Sequence, residues 1–167
     1  MGSAPSTVTP EDTQPLAVLP SPPAGAAANA LWFAVQARPW LSLAILPAGP
    51  GESALDVANA LYDVGALISG GPIRLMDART VTLATSASFI VNMSSLVSAP
   101  GEKRAGTQRA VVVLSSVVEQ LAGVPIVLAA DAVVLTMTLG KTRLDDARRT
   151  LELIGTERAL GCVLVPP

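Results

Sequence analysis

Hydrophobic residues in this chain gather in short unbroken runs separated by segments of helical period. The runs are "WLSLAIL" (residues 40–46), "PIRLMDA" (72–78), "RAVVVLSSVV" (109–118), "ADAVVLTMTL" (130–139) and "GCVLV" (161–165). Each has the length of a strand, and a run that is apolar at every position predicts a strand buried on both faces. The intervening segments read as helices. "AANALWFAVQA" offers Leu31, Phe33, Ala34 and Val35 as an apolar side and must stop before Pro39. "ESALDVANALYDVGALI" carries Leu55, Ala58, Leu61 and Tyr62 at helical spacing, with Gly65 as its expected end. "ATSASFIVNMSSLVSA" (84–99) predicts a helix of low intrinsic propensity, and "PGEKRAG" after it a polar loop.

The strongest helical signal is "TRLDDARRTLELIG" (142–155). Leu144, Ala147, Leu151 and Ile154 form one face, and Asp145, Asp146, Arg148 and Arg149 the other. Thr142 is the expected N-cap, two aspartates suit the first turn, and Gly155 follows the end. Strands buried on both faces, alternating with helices, predict an α/β fold: a three-layer α/β/α sandwich with a mostly parallel sheet. Ligands of such sheets bind beyond the carboxyl ends of the strands. The loop "PAGPGES" (47–53) stands at one of those ends. Residues 1–26 lack any period and are rich in Pro, Ser, Thr and Ala, so they read as a disordered tail or linker, leaving residues 27–167 as the domain.

Composition narrows the chemistry. Half of the 167 residues are hydrophobic, 14% are charged and 3% aromatic, so Ala, Val and Leu must build the core. A net charge of −2 and a pI near 5.0 leave no electrostatic case for nucleic acid or for an anionic membrane. The chain has no histidine, which excludes His metal ligands and a Ser-His-Asp triad. Its single cysteine, Cys162, cannot form an internal disulfide and reads as a small buried hydrophobe, which suits a cytoplasmic protein. The first residues lack the basic start and apolar core of a signal peptide. The apolar window Leu121–Leu139 is long enough to span a bilayer, but Asp131 at its middle and Pro125 favour a buried strand with a loop before it.

The order strand, Pro/Gly loop, helix, "LMDA" strand, Val-rich strand, then "AADAVVLTMTLGKTRLDDARRTLELIG" and "GCVLV" resembles the cytoplasmic domain of the bacterial tyrosine autokinases (BY-kinases) of capsule and exopolysaccharide synthesis. These belong to the wider Min/Par-type P-loop ATPases. The resemblance spans about residues 28–165 and is most specific in the C-terminal third. It implies a P-loop NTPase-like domain and a vestigial nucleotide site at Gly49, Gly51, Glu52, Ser53 and Asp77. The family's Walker A loop ends in Gly-Lys-Ser/Thr. Here "GPGES" supplies Ser53 as the magnesium-binding hydroxyl but no lysine. Either Glu52 replaces the lysine and faces the polyphosphate, or the Gly-Lys pair is deleted and the loop is short. No lysine precedes Lys103, so the second signature lysine of the Min/Par relatives is absent too.

Other parts of the family pattern are also missing. Asp77 in "LMDART" matches the first of two aspartates, and Arg79 stands at the second. The Walker B aspartate has only Leu114, Ser115 or Ser116 in its place, and Val165-Pro166 replaces a base-contacting asparagine. The tyrosine-rich tail is absent, and the only tyrosine, Tyr62, lies in a helix. Phosphoryl transfer is mostly positioning and charge stabilisation, so these losses predict no enzymatic activity, no catalytic residue, no metal and no cofactor. The glycines and Ser53 have a plainer role as a tight turn and an N-cap, and Asp77 and Asp131 as turn and cap residues.

The reading that follows is a pseudo-kinase or pseudo-ATPase, a scaffold or regulator in exopolysaccharide biosynthesis and export. Its expected partner is a membrane-embedded chain-length regulator or a partner kinase. That places it in the cytoplasm, or at the inner membrane through that partner. Two alternatives stand beside it. One is a sensor that binds nucleotide without hydrolysis, with Lys141, Arg143 or Arg79 replacing the missing cation. The other is a structural homodimer of the Min/Par-like class.

Overall fold

The computed structural model describes residues 24–97 and 108–167. Along the chain it contains α1 (Ala24–Val35), β1 (Ser42–Pro47), α2 (Leu55–Ile68), β2 (Ile73–Asp77), α3 (Leu83–Val97), β3 (Arg109–Val113), α4 (Val124–Ala129), β4 (Ala132–Thr138), α5 (Leu144–Ile154) and β5 (Ala159–Val165). The five strands form one sheet in the order β2-β3-β1-β4-β5, and all four ladders are parallel. Helices cover both faces, making a three-layer α/β/α sandwich. The loop expected at residues 100–106 and most of the tail expected at 1–26 lie outside the described residues. Helix α1 starts at Ala24, inside the segment read as tail.

The strand side chains alternate between two cores, as the period-2 geometry of a strand requires. Leu43, Ile45, Val111, Val113, Ala132 and Val134 point to the α1/α2 face, where they meet Trp32, Val35, Ala58 and Leu61. Ala44, Leu46, Val112, Val133 and Leu135 point to the α3/α4/α5 face, where they meet Met93, Ile126, Val127 and Ile154. Every residue of β1 is buried, while the outer strand β5 is buried at none of its seven positions. The continuous apolar runs therefore mark the centre of the sheet.

Several expectations are corrected by packing. Gly65 does not end α2; the helix runs on to Ile68. A Cβ at Gly65 would lie 2.5 Å from both Ile73 Cδ1 and the Trp32 ring, so the glycine serves the close approach of α1, α2 and β2. In α1 the buried aromatic is Trp32, set edge-on to Trp40 at 6.0 Å, while Phe33 is 63% exposed. Leu144, expected on the buried face of α5, is exposed, and Thr150 takes a buried place there. The segment before β4 is not a loop but a 3-10 turn (Leu121–Gly123) and the short helix α4. Among the described residues no helix is long and apolar enough to cross a membrane. Cys162, expected to be buried, is exposed on β5, because β5 is an edge strand with nothing beyond it among the described residues.

Candidate functional site at the carboxyl end of the sheet

The strand order creates a crevice. The chain leaves β1 through α2 to reach β2 on one side, and leaves β3 through α4 to reach β4 on the other. These helices lie on opposite faces, so the loops after β1 and β3 diverge, and the gap between them is the place where parallel sheets bind ligands. Of the expected site residues, Gly49, Gly51, Glu52 and Ser53 follow β1 beside this gap, and Asp77 is the last residue of the edge strand β2.

The crevice is bridged by the protein's own side chains. Gly51, with φ +64°, presents its backbone N–H to the carboxylate of Glu119 across the gap, at 3.0 Å. A backbone N–H at a glycine turn before a helix is the group that would hold a phosphate oxygen. Here a carboxylate oxygen occupies that place. On the other side of the loop, Lys141 Nζ donates to the Gly51 carbonyl at 2.8 Å. Of Lys141, Arg143 and Arg79, Lys141 alone reaches this loop among the described contacts. Arg79 is engaged by Asp77, and Arg143 is exposed at the start of α5.

Glu52 does not face the crevice as a lysine replacement would. Its carboxylate turns toward the loop after β4. It accepts from the Thr138 hydroxyl at 3.0 Å, the Thr142 hydroxyl at 2.7 Å and, more weakly, the Thr138 backbone N–H at 3.3 Å. Gly49 makes room for this fold-back, since a Cβ there would stand 2.5 Å from Glu52 Oε1. Thr142, expected as the N-cap of α5, serves this network instead. Its oxygen also accepts the Thr138 N–H at 2.7 Å, and Arg143 holds the cap position without a side-chain bond. Ser53 likewise stands one residue before the cap of α2, where its hydroxyl accepts the Leu55 N–H at 3.2 Å.

Asp77 is drawn into a local pair. It accepts from the backbone N–H, Nε and Nη2 of Arg79 at 3.0, 3.0 and 2.7 Å. The Arg79 side-chain bonds, with its backbone N–H and its charge, hold the carboxyl below the usual range against the opposing effect of partial burial. The same contact raises the Arg79 guanidinium. Arg79 therefore neutralises Asp77. At the end of β3, Leu114 is in the core, Ser115 donates to the Arg79 carbonyl at 3.0 Å, and Ser116 is buried with no partner for its hydroxyl among the described residues. Among the described residues no group of three acidic or cysteine side chains is arranged to hold a metal ion.

The structure thus brings Gly49, Gly51, Glu52 and Ser53 together in one loop and leaves Asp77 in its own pair. Sequence reasoning missed Glu119, Thr138 and Thr142 as parts of this site. Glu119 carries no local signal, because its partner is 68 residues away. The two threonines did carry one: hydroxyls four residues apart around Gly140, at a strand end, can share one acceptor. The chain matches no family model, no curated protein and no solved structure.

Proposed function

We propose that this chain is a non-catalytic pseudo-kinase or pseudo-ATPase that acts through its surfaces, as a scaffold or regulator in bacterial exopolysaccharide biosynthesis and export. One observation carries the non-catalytic part: the Glu119 carboxylate sits on the Gly51 N–H across the crevice. A triphosphate entering there would have to displace a like charge held in place by a hydrogen bond. Glu52 adds a second negative group to the same loop. The link to polysaccharide export rests on the resemblance in motif order, as do the proposed partners, a membrane-embedded chain-length regulator or a partner kinase.

The test is a thermal-shift titration with magnesium-ATP and magnesium-ADP to millimolar concentration. A ligand that binds only the native state raises the melting temperature by mass action. No shift is expected. A saturable shift would overturn the reading, and Lys141, whose ammonium lies against the loop, would then favour a nucleotide sensor. In that case Lys141→Ala should abolish the shift.

A further inference from the structure

The loop after β1 is held at Gly51 from two sides. The Glu119 carboxylate, from the turn after β3, accepts the Gly51 N–H at 3.0 Å, and Lys141, from the turn after β4, donates to the Gly51 carbonyl at 2.8 Å. Folding requires neither bond. Gly51, Glu119 and Lys141 are all exposed, and a Cβ at Gly51 would meet nothing within 4 Å among the described residues, so water can satisfy both backbone groups of this glycine. The turn that carries Glu119 is fixed by other contacts. Ser115 donates to the Arg79 carbonyl at 3.0 Å, Gln120 Nε2 donates to the Val81 carbonyl at 2.6 Å, and the N–H groups of Glu119 and Gln120 both reach the Ser116 carbonyl. From this fixed base the Glu119 side chain crosses to the β1 loop.

We infer that Glu119 is a displaceable plug: it occupies the Gly51 amide as the protein's own ligand, and a free oxyanion, phosphate or carboxylate, takes that amide together with Lys141 when the plug is out. The plug is itself an oxyanion, so the amide already holds the kind of group that would replace it. An ammonium has three N–H donors, and Lys141 uses one on the Gly51 carbonyl, which leaves two for an anion beside the same residue. The other carboxylate of the loop, Glu52, is turned away and bound by Thr138 and Thr142, so it does not have to move. A solvent-facing hydrogen bond is modest in net strength, because water competes for both partners. Glu119 therefore excludes an anion by its charge as much as by its contact, and it gives way when it swings into solvent. The plug rests on the closed-crevice reading proposed above, and adds to it that the closure is reversible and lies in one side chain.

The test is a titration of pyrophosphate, and separately of malonate, into the isotope-labelled full chain at constant ionic strength, read at the Gly51 amide resonance. In the wild type this resonance should stay in place up to roughly 20 mM, beyond the range of weak specific binding. In Glu119→Ala it should move saturably, at least about tenfold more tightly than any wild-type response, the usual scale for a hydrogen bond to a charged group. Glu119→Gln keeps the reach and loses the charge, and should fall between the two. Adding Lys141→Ala to Glu119→Ala should weaken the binding again by about tenfold. Either anion moving the resonance supports the exchange, and the tighter of the two names the chemistry of the ligand. A Gly51 resonance that neither anion moves in Glu119→Ala would overturn the inference, as would one that moves no more readily than in the wild type. Magnesium-ATP binding by the wild type would instead overturn the proposed function. The plug would then stand only if Glu119→Ala still bound pyrophosphate about tenfold more tightly than the wild type.

Discussion

The parallel pair β1–β4 is tied by a carboxylate at each end, and the two ties differ in what they hold. At the amino end, Asp131 accepts from the backbone N–H groups of Leu41 and Ser42, at 3.0 and 2.8 Å, and from the Ser42 hydroxyl at 2.8 Å. The Ser42 hydroxyl oxygen accepts the Asp131 N–H in return. At the carboxyl end, Glu52 binds two threonine hydroxyls, and its one backbone partner, the Thr138 N–H, is shared with Thr142. Among the described residues Asp131 is the sole side-chain acceptor for two amides at the entry to β1, those of Leu41 and Ser42. Glu52 takes up two threonine hydroxyls, but for the one strand amide it meets it is only a second acceptor. The first tie supports the fold, and the second closes a loop over a crevice. A carboxylate can thus be structural in two ways, and only the count of otherwise unmatched donors tells them apart.

The largest expected effect is at Asp131. Asp131→Ala removes the partner of two backbone N–H groups and should cost about 2–3 kcal/mol in urea unfolding. Glu52→Ala should cost less, about 1 kcal/mol, because Thr142 still accepts the Thr138 N–H. The reverse order would break the distinction between the ties. Gly49→Ala should cost about as much as Glu52→Ala, roughly 1 kcal/mol, by pushing the carboxylate out of its place. The two substitutions act on one contact, so the double variant should lose clearly less than the sum.

The Asp131 tie also responds to acid. Partial burial raises the Asp131 carboxyl, but the amides of Ser42 and Leu41, the Ser42 hydroxyl and the Arg158 charge together outweigh it and hold it below its ordinary value of 3.8. A folded-state value below the unfolded one means that the unfolded chain takes up the proton first. Stability from this group is therefore complete above the ordinary aspartate range and is lost as pH falls below about 4 toward the folded value. Asp77 acts in the same direction through its Arg79 partner. Asp131→Asn should accordingly flatten the acid limb of a stability profile measured from pH 6 to 2. An unchanged limb would remove Asp131 from the account. The smallest effect is expected at Ser116, whose buried hydroxyl has no partner among the described residues. Ser116→Ala removes a group that costs stability and should be neutral or stabilising by about 1 kcal/mol.

The layered fold was legible because burial is written in composition. A run such as "RAVVV" tolerates only the interior of a parallel sheet, and the apolar stripe of α5 tolerates only one covered side. Where sequence and structure part, the cause is tertiary. Gly65 resembles a helix end locally, but close approach to Trp32 and Ile73 is what requires it. Thr142 has the local pattern of a cap, but its acceptor lies 90 residues back, at Glu52. Cys162 has the apolar neighbours of a buried residue, and these do not reveal that its strand is the last in the sheet.

From its sequence alone this protein is determined to be an α/β sandwich with a glycine turn at the end of its first strand and no lysine in that turn. Both follow from local pattern and from which side chains are present. Only the tertiary structure decided that Glu119 meets Gly51, that Glu52 turns away to Thr138 and Thr142, and that β5 is an edge of the sheet among the described residues. Those depend on strand order and on contacts between distant residues, and side-chain periodicity carries no information about which strand lies beside which.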